Sequence, residues 1–277
     1  MTKTITVRDI AAILEKLAPP GLAEPWDNIG LQVGGLARQV SIVMVALDPR
    51  PQVVSAACDA KAELLIVHHP LIFPMLKQIN IDSYPGSIIS MAIKCGLTIY
   101  AAHTNYDAAY PGLNDLLAQR LGIDCPKALK PASVCDSLSI GTEGAGRIGN
   151  LKKPVRLEEF VQQVNRSCRP DAVKVAGDPN MIVQKVCVCC GSGSGLIRDF
   201  FLSGADVYVS GDLRYHDAVR AEAEGKCLID IGHFASEHMA VEALSSYIMK
   251  KVSEERCDVK VVAYKEEKDP FRYERTV

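Results

Sequence analysis

Short apolar runs rich in Val, Ile and Leu alternate along the chain with segments in which apolar residues return every three or four positions. The runs are typical of strands covered on both faces, and they fall at residues 41–47, 63–67, 97–102, 185–190, 205–210 and 226–231. The intervening segments have the spacing of amphipathic helices. This alternation predicts an α/β fold with mixed, partly parallel sheets.

Three of the predicted helices have clear boundary signals. The first begins after Thr6-x-x-Asp9, which has the form of a capping box, and ends at Pro19-Pro20. The second follows Pro154, and the third lies around residues 240–248. The chain is therefore expected to contain well-defined helices before, between and after its strands.

Residues 131–151 differ in composition from the rest of the chain, because glycine and polar residues are frequent in this stretch. Within this stretch Leu138-Ser139-Ile140 and Arg147-Ile148-Gly149 fit either a linker or the opening strands of a second lobe. We place a lobe boundary here. The predicted first lobe comprises residues 1–130 and 230–277, and the second comprises residues 131–229.

Composition narrows the possible partners of the chain. The formal charge of -2 over 277 residues, without a run of Lys and Arg, gives no bulk attraction to nucleic acid. The sequence has no apolar stretch long enough to cross a membrane and no apolar signal core at its start, so we expect a cytoplasmic protein. Its ten cysteines are then expected to be reduced, with Cys187, Cys189 and Cys190 packed in a buried strand.

All six histidines lie in four short segments, each of which follows an apolar run and carries or adjoins an acidic residue. The segments are residues 66–70, 100–107, 210–216 and 230–238. In open α/β sheets the carboxyl ends of the strands meet at one edge, where ligands bind. Imidazole together with carboxylate is the ligand set of zinc, iron, manganese or cobalt, so the pattern predicts a transition-metal site.

The spacing within these segments indicates which side chains act together. His103 and Asp107, like His233 and Glu237, are four positions apart and would share one face of a helical turn. Pro70 favours an extended His69, so the neighbouring imidazoles are expected to diverge, which suits two ions better than one. The predicted metal ligands are His68, His69, Asp107, His233 and Glu237.

Three other features each have a structural and a functional interpretation. His216 and His238 are either metal-site residues or ordinary hydrogen-bonded histidines. The Gly191–Gly195 loop is either a phosphate site, with Arg147 or Arg198 beside it, or a tight turn that requires small residues. The Trp26-Asp27-Asn28-Ile29-Gly30 segment is interpreted as a structural turn, in which Asn28 and Gly30 suit positive φ, and not as a catalytic element.

Several short motifs, taken together and in order, resemble the GTP cyclohydrolase 1 type 2 homologue family of Nif-three-like dinuclear-metal proteins. The resemblance extends from about residue 7 to the end of the chain. The motifs are Trp26–Gly34, His68-His69-Pro70, His103-x-x-x-Asp107, Gly146–Gly149, Cys190–Gly195, Gly204–Asp212 and Gly232–Glu237. Two residues depart from the usual family pattern, Pro70 in place of Gly and Asp212 in place of Glu; neither removes a ligand, but both affect the expected substrate preference.

The resemblance implies a two-lobed α/β subunit with two divalent ions in a cleft between the lobes, and a toroidal homohexamer. It also implies that the five predicted ligands hold both ions and that Glu237 bridges them. A chain of this length has no room for the large inserted domain that some family members carry.

Such a pair of ions would suit hydrolysis, because two metals can share a water and stabilise a developing negative charge. We therefore predict a metal-dependent hydrolase, with GTP cyclohydrolase-type ring opening of a nucleotide or related heterocycle as the named example. His103, and next His216, are the candidates for a catalytic proton shuttle. The alternative is a non-catalytic metal-binding protein that serves in regulation, storage or interaction.

Overall fold

Strands and helices alternate along most of the chain in the computed structural model, which describes residues 4–132 and 142–274. The strands are β1 (Ile5–Thr6), β2 (Gly30–Val33), β3 (Gln39–Val40), β4 (Ile42–Ala46), β5 (Leu64–Val67), β6 (Thr98–Ala101), β7 (Ile123–Pro131), β8 (Gly144–Arg156), β9 (Lys174–Ala176), β10 (Ile182–Ser192), β11 (Val207–Gly211), β12 (Cys227–Asp230) and β13 (Lys260–Ala263). The α-helices are α1 (Val7–Leu17), α2 (Pro51–Asp59), α3 (Gly86–Cys95), α4 (Thr104–Ala108), α5 (Leu113–Arg120), α6 (Leu157–Cys168), α7 (Ile197–Leu202), α8 (Tyr215–Ala223), α9 (His233–Glu237) and α10 (Met239–Glu254). Short 3-10 helices cover Pro20–Leu22 and Gly193–Leu196.

The predicted α/β class is confirmed, and each of the six predicted strands is present as β4, β5, β6, β10, β11 or β12. The capping box at α1 also forms, since the backbone N–H of Thr6 donates to Asp9 Oδ2 at 2.8 Å. Residues Arg147–Gly149 lie within β8, and residues 138–140 lie outside the described part of the chain.

One compact unit comprises the described residues up to Tyr106 together with Ala240–Glu267. Its main sheet has the strand order β13-β4-β5-β6-β2, in which β13, β4, β5 and β6 are parallel and β2 runs antiparallel to β6. The strands β4 and β5 are almost wholly apolar because both faces are covered. Buried residues of α2 and α3, such as Val53 and Ile88, join Leu65 and Val67 of β5 in one core.

The second unit comprises the described residues of Asp107–Met239 and those from Lys268 onward. Its sheet has the order β7-β8-β10-β11-β12-β9, with β10, β11 and β12 parallel and the other pairs antiparallel. The predicted lobes instead divided the chain at about residues 130 and 230, and they stay a prediction. Residues 107–130 fall in this unit because β7 pairs with β8 and α5 packs beside β10.

The arginine in the middle of β8 is fully buried in this second unit. The Arg147 side chain donates to both carboxylate oxygens of Asp115 at 2.7 and 2.8 Å and to the backbone carbonyls of Ala109, Gly144 and Gly146. These five bonds use the full donor capacity of a guanidinium. Arg147 therefore holds the sheet to the segment before α5 and has no donor left for a phosphate, which argues against the phosphate interpretation of the Gly191–Gly195 loop.

The cysteines follow the sequence prediction only in part. Cys187 and Cys190 are buried in β10, as expected for strand packing. Cys58 at the end of α2 and Cys95 at the end of α3, however, form a disulfide with a Cα–Cα distance of 5.7 Å. The expectation that all cysteines are reduced was wrong for this pair, because the fold brings two helix ends together that are 37 residues apart in the sequence.

Among the residues that the structure describes, no helix combines the length and the apolar character that a membrane span requires.

Candidate metal centre

His68 and His69 lie immediately after β5, at the point where the chain bends away from the sheet. The backbone N–H groups of both residues donate to the carbonyl of Leu47, at 3.1 and 3.0 Å, and this holds the bend in place. The ring centroids of His68 and His69 are 5.0 Å apart. The prediction that these imidazoles diverge was wrong, since the alternation of an extended strand has already ended at Val67.

His103 follows the neighbouring parallel strand β6 and completes a group of three imidazoles in the first unit. One ring nitrogen from each of His68, His69 and His103 lies within 4.8 Å of the others. The His103 ring stands edge-on to both partners, with centroid distances of 5.2 and 5.4 Å. The carboxyl ends of adjacent parallel strands therefore bring together side chains that are 35 residues apart, as the sheet rule predicts.

Each of these three rings has its Nδ1 atom bonded to an acceptor. His68 donates to the carbonyl of Ala102 at 2.9 Å, His69 to Asp48 Oδ1 at 2.8 Å, and His103 to Asp27 Oδ1 at 2.9 Å. A carbonyl or an ionised carboxylate can only accept, so the proton must be on Nδ1 when the ring is neutral. Nε2 then carries the lone pair, and this is the arrangement that metal-binding histidines use.

The two carboxylates that orient His69 and His103 were not predicted from the sequence. Burial opposes ionisation of Asp27, but hydrogen bonds from His103 and Thr104 outweigh it and lower its pKa to about 2. Burial likewise opposes ionisation of Asp48, and the bonds from His69 and Arg50 still lower its pKa. Both groups are therefore anionic at neutral pH and hold their imidazoles by charge-assisted hydrogen bonds.

The Trp26–Gly30 turn thus does more than the structural role predicted for it, because Asp27 reaches His103. Gly30 has the expected positive φ of +87°, whereas Asn28 does not have a positive φ. Asn28 instead donates from Nδ2 to the carbonyl of Ile72 at 2.7 Å and ties the turn to the loop after His69. The signal for Asp48 was present in the sequence: an acidic residue follows the apolar run 41–47 as the histidines follow theirs.

The second unit contains its own pair of candidate ligands, a histidine and a glutamate on α9. His233 begins this helix and Glu237 lies one turn later, so that Nε2 of His233 is 3.0 Å from Glu237 Oε2. The predicted i,i+4 arrangement is thus present. The Nδ1 atom of His233 donates to Asp212 Oδ2 at 2.8 Å, so this ring also has Nε2 directed to its carboxylate neighbour. Asp212 has a φ of +53°, a conformation that short polar side chains tolerate better than most.

Asp107, on α4, is the remaining predicted ligand. Its charge and that of Glu237 both act on the thiol of Cys190, whose pKa is raised well above its usual value by burial first and then by these two carboxylates. Asp107 and Glu237 therefore influence the same buried part of the second unit. The Cys190 thiol stays protonated there, which makes it a poor metal ligand.

The Gly191–Gly195 loop is explained by close packing around Glu237. Gly191 has a φ of +64°, and its N–H donates to Ser236 Oγ at 2.8 Å. A Cβ at Gly191 would overlap Glu237 Oε1 and lie 3.3 Å from His233 Nε2, and one at Gly193 would overlap the Ser210 hydroxyl. These contacts support the interpretation as a tight turn that requires small residues.

The two other histidines lie apart from this arrangement. His216 is on the exposed surface of α8, with its ring 5.4 Å from that of Tyr215. His238 stacks on Phe234 at a centroid distance of 4.6 Å, and burial, followed by the charge of Arg120, lowers its pKa. His238 is therefore a packed, neutral histidine. The catalytic role predicted for His216 stays a prediction.

Comparison with known proteins bears directly on this arrangement. A family model described as Duf34/NIF3 (NGG1p interacting factor 3) matches residues 5–270. The chain belongs to the DUF34/NIF3 family. The resemblance proposed from the sequence motifs is thereby confirmed.

Individual relatives cover nearly the whole length of this DUF34/NIF3 protein. It is 33% identical over 268 residues to the GTP cyclohydrolase 1 type 2 homolog of Clostridium perfringens, covering 96% of this chain and 99% of that one. The protein of the same name from Streptococcus pneumoniae serotype 4 is 30% identical over 270 residues, covering 96% and 98%. The crystal structure of a Bacillus cereus protein related to NIF3 superposes with a TM-score of 0.90 at 28% identity, covering 98% of this chain and 100% of the other.

The site residues of this DUF34/NIF3 protein fit a transition metal. In the first unit, three imidazoles have fixed tautomers and converging ring nitrogens. In the second unit, His233 lies beside the carboxylate of Glu237. Neutral imidazole and ionised carboxylate are the donors that zinc, iron, manganese and cobalt share. These groups are therefore able to bind a metal ion.

Proposed function

We propose that this DUF34/NIF3 protein is a dinuclear metal-dependent hydrolase. The proposed ligands are His68, His69, Asp107, His233 and Glu237, with Glu237 shared between the two ions. The proposed substrate is a nucleotide or a related heterocycle, because the full-length relatives carry the name GTP cyclohydrolase 1 type 2 homolog. The metals considered are zinc, iron, manganese and cobalt.

One observation carries this proposal: each histidine of the ligand set has its Nδ1 proton committed to an acceptor. The acceptors are the Ala102 carbonyl, Asp48 and Asp212. Histidines that only pack or cap do not need a fixed tautomer, whereas a ligating histidine gains basicity and orientation from such a bond. The same feature at three histidines from two separate segments supports a common purpose for the three rings.

In the proposed reaction the metal ions would activate the substrate and the water, and the protein side chains would hold the metal ligands in place. Divalent ions held by these side chains would polarise the bond under attack and make water a stronger acid near neutral pH. Asp48 and Asp212 keep His69 and His233 in the orientation that presents Nε2. Gly191 leaves room for the Glu237 carboxylate, which is only 2% exposed.

His103 is the first candidate for the proton shuttle, and His216 the second. Asp27 holds the Nδ1 proton of His103, so that Nε2 is the atom that would accept a proton. One ring nitrogen of His103 lies within 4.8 Å of ring nitrogens of His68 and His69, which supports a position for His103 beside the reacting water. The exposed position of His216 gives its candidacy less support.

The test begins with protein purified without added metal. Its metal content is measured, and the reconstituted protein is then screened for turnover of nucleotides, phosphoesters and cyclic amides. We expect metal-dependent product release that Glu237→Gln abolishes without lowering the melting temperature. Glu222→Gln, an exposed glutamate on α8, is the matched control and should keep full turnover.

Two outcomes would contradict the proposal in different ways. If chelation strongly lowers the melting temperature while no substrate is turned over, the ions have the non-catalytic role of a metal-binding or regulatory protein. If no metal binds at all, the ligand assignment itself is wrong.

The proposal also includes the assembly and location expected of this family. We propose a homohexamer that acts in the cytoplasm. Light scattering on the purified protein tests the assembly, because six copies have six times the 30.0 kDa mass of one chain.

A further inference from the structure

Two large aromatic side chains lie in contact on the surface of the first unit and are largely open to solvent. Trp26 is 57% exposed and Phe73 is 53% exposed, and their ring centroids are 5.7 Å apart with 60° between the ring planes. Trp26 also meets the His103 ring edge-on at 6.1 Å. An exposed aromatic pair beside a group of imidazoles is unusual, because such rings normally bury most of their surface.

Hydrogen bonds from the turn to the neighbouring loop hold the pair in place. Asn28 donates to the carbonyl of Ile72, and the N–H of Ile72 donates to Gln32 Oε1 at 3.1 Å. The Gln32 amide also donates to the carbonyl of Asn28 at 2.7 Å, and its side chain is buried. Phe73 follows Ile72 directly and Trp26 lies two residues before Asn28, so this network supports the backbone on which both rings are carried.

We propose that Trp26 and Phe73 form a stacking surface for a planar nitrogen heterocycle of the substrate. This inference rests on the proposed function and specifies its substrate class. A flat ring can stack on the open face of Trp26 while its edge meets the tilted Phe73 ring, and aromatic rings favour both geometries. Because the His103 ring contacts Trp26, a heterocycle bound there would lie close to the group of imidazoles.

The chain offers a direct probe, since Trp26 is its only tryptophan. All tryptophan fluorescence therefore reports on the proposed surface. Guanosine and adenosine are titrated into metal-free and manganese-loaded protein, with ribose as the comparison that lacks a planar ring. We expect saturable quenching by both nucleosides and none by ribose.

Variants measured by calorimetry then assign the binding to the ring faces. Trp26→Leu should weaken guanosine binding about tenfold or more, equivalent to about 1.4 kcal/mol, because base stacking on an aromatic ring contributes this order of energy. Trp26→Phe keeps an aromatic face and should lose less, and Phe73→Leu should also weaken binding. Phe271→Leu, at an aromatic side chain that is 72% exposed elsewhere, is the matched control and should bind like the wild type.

Three results would overturn the inference. Guanosine and ribose could have the same effect on Trp26 fluorescence, or Trp26→Leu could bind guanosine as tightly as Phe271→Leu. Alternatively, Trp26 emission could shift to shorter wavelength as the protein concentration rises and stay unchanged when guanosine is added. That result would show that the Trp26–Phe73 surface binds a second copy of the chain.

Each measurement is independent of turnover, so this inference and the proposed function can fail separately. A protein that binds two metal ions and hydrolyses a substrate but does not bind nucleosides contradicts only the stacking surface. Saturable guanosine binding without any metal-dependent hydrolysis contradicts only the proposed reaction.

Discussion

Replacing Gly191 with alanine should disturb the metal centre through a single added methyl group. The new Cβ would overlap Oε1 of Glu237 and lie 3.3 Å from Nε2 of His233. The backbone at Gly191 is held by its bond to Ser236 and has a φ of +64°. The Glu237 carboxylate must therefore move away to accommodate the methyl group.

Gly191→Ala is expected to lower both the free energy of unfolding and the affinity for metal. A non-glycine residue in this left-handed conformation costs about 1–2 kcal/mol, which should appear as a lower free energy of unfolding. Metal–ligand distances tolerate shifts of only about 0.2 Å, so a displaced carboxylate no longer fits the coordination geometry. We expect metal affinity to fall at least about tenfold, the lower end of what misplaced ligand support costs.

The assay is calorimetric titration of metal-free Gly191→Ala with manganese and with zinc, together with urea denaturation. Gly195→Ala is the matched control in the same loop, because a Cβ there meets nothing within 4 Å and the backbone φ is ordinary. The control should bind metal like the wild type. If Gly191→Ala binds as tightly as Gly195→Ala, Glu237 is not a ligand at the position described.

Three further substitutions test other parts of the structure. Arg147→Ala removes the buried partner of Asp115, and we expect the free energy of unfolding to fall by about 3–5 kcal/mol in urea; an unchanged midpoint would show that this pair does not hold the second unit together. Asp48→Asn weakens the acceptor of the His69 Nδ1 proton, so metal affinity measured against a chromophoric chelator should drop about 10–100-fold, and equal affinity would exclude this role. Burial raises the pKa of the Glu267 carboxyl above 4.5, so the folded chain binds that proton more tightly than the unfolded chain. The wild type should therefore gain stability relative to Glu267→Gln as the pH falls from neutral toward 4.5, and a stability difference that is flat or falls over this range would refute the sign.

The strands and the strand-end position of the histidines could be predicted because both depend on local sequence. A run such as Leu64–Val67 is apolar at every position since both faces of its sheet are covered, and this is visible without tertiary information. Parallel strands then bring their carboxyl ends to one edge, so His68 and His103 could be expected to lie near each other. The i,i+4 pair of His233 and Glu237 follows from helix geometry in the same way.

The acceptors of the imidazole protons could not be predicted, since they depend on contacts that are distant in the sequence. Asp27 reaches His103 across 76 positions, and Asp48 reaches His69 across 21. Neither pair has a spacing that repeats in a helix or a strand. The direction of the His68 and His69 rings was missed because the bend at the end of β5 depends on a backbone carbonyl from the neighbouring loop, at Leu47.

The remaining differences between the sequence predictions and the structure concern Arg147 and the Cys58–Cys95 pair, whose environments depend on tertiary contacts. Arginine is among the residues least often buried, so nothing local marked Arg147 as an interior side chain with five acceptors. The Cys58–Cys95 bond joins two helix ends, and an expectation based on the reducing cytosol argues against such a pair. In both cases the tertiary contact, and not the local pattern, decides the environment of the residue.

The proposed binding of two cations by His68, His69, Asp107, His233 and Glu237 is tested most directly by crystals grown with manganese or zinc. Anomalous scattering locates each ion independently of any assumption about ligands. We expect two peaks per chain, in contact with Nε2 of His68, His69 and His233 and with the carboxylates of Asp107 and Glu237. Fully loaded crystals with no anomalous peak at these atoms, or with the ions bound elsewhere, would contradict it.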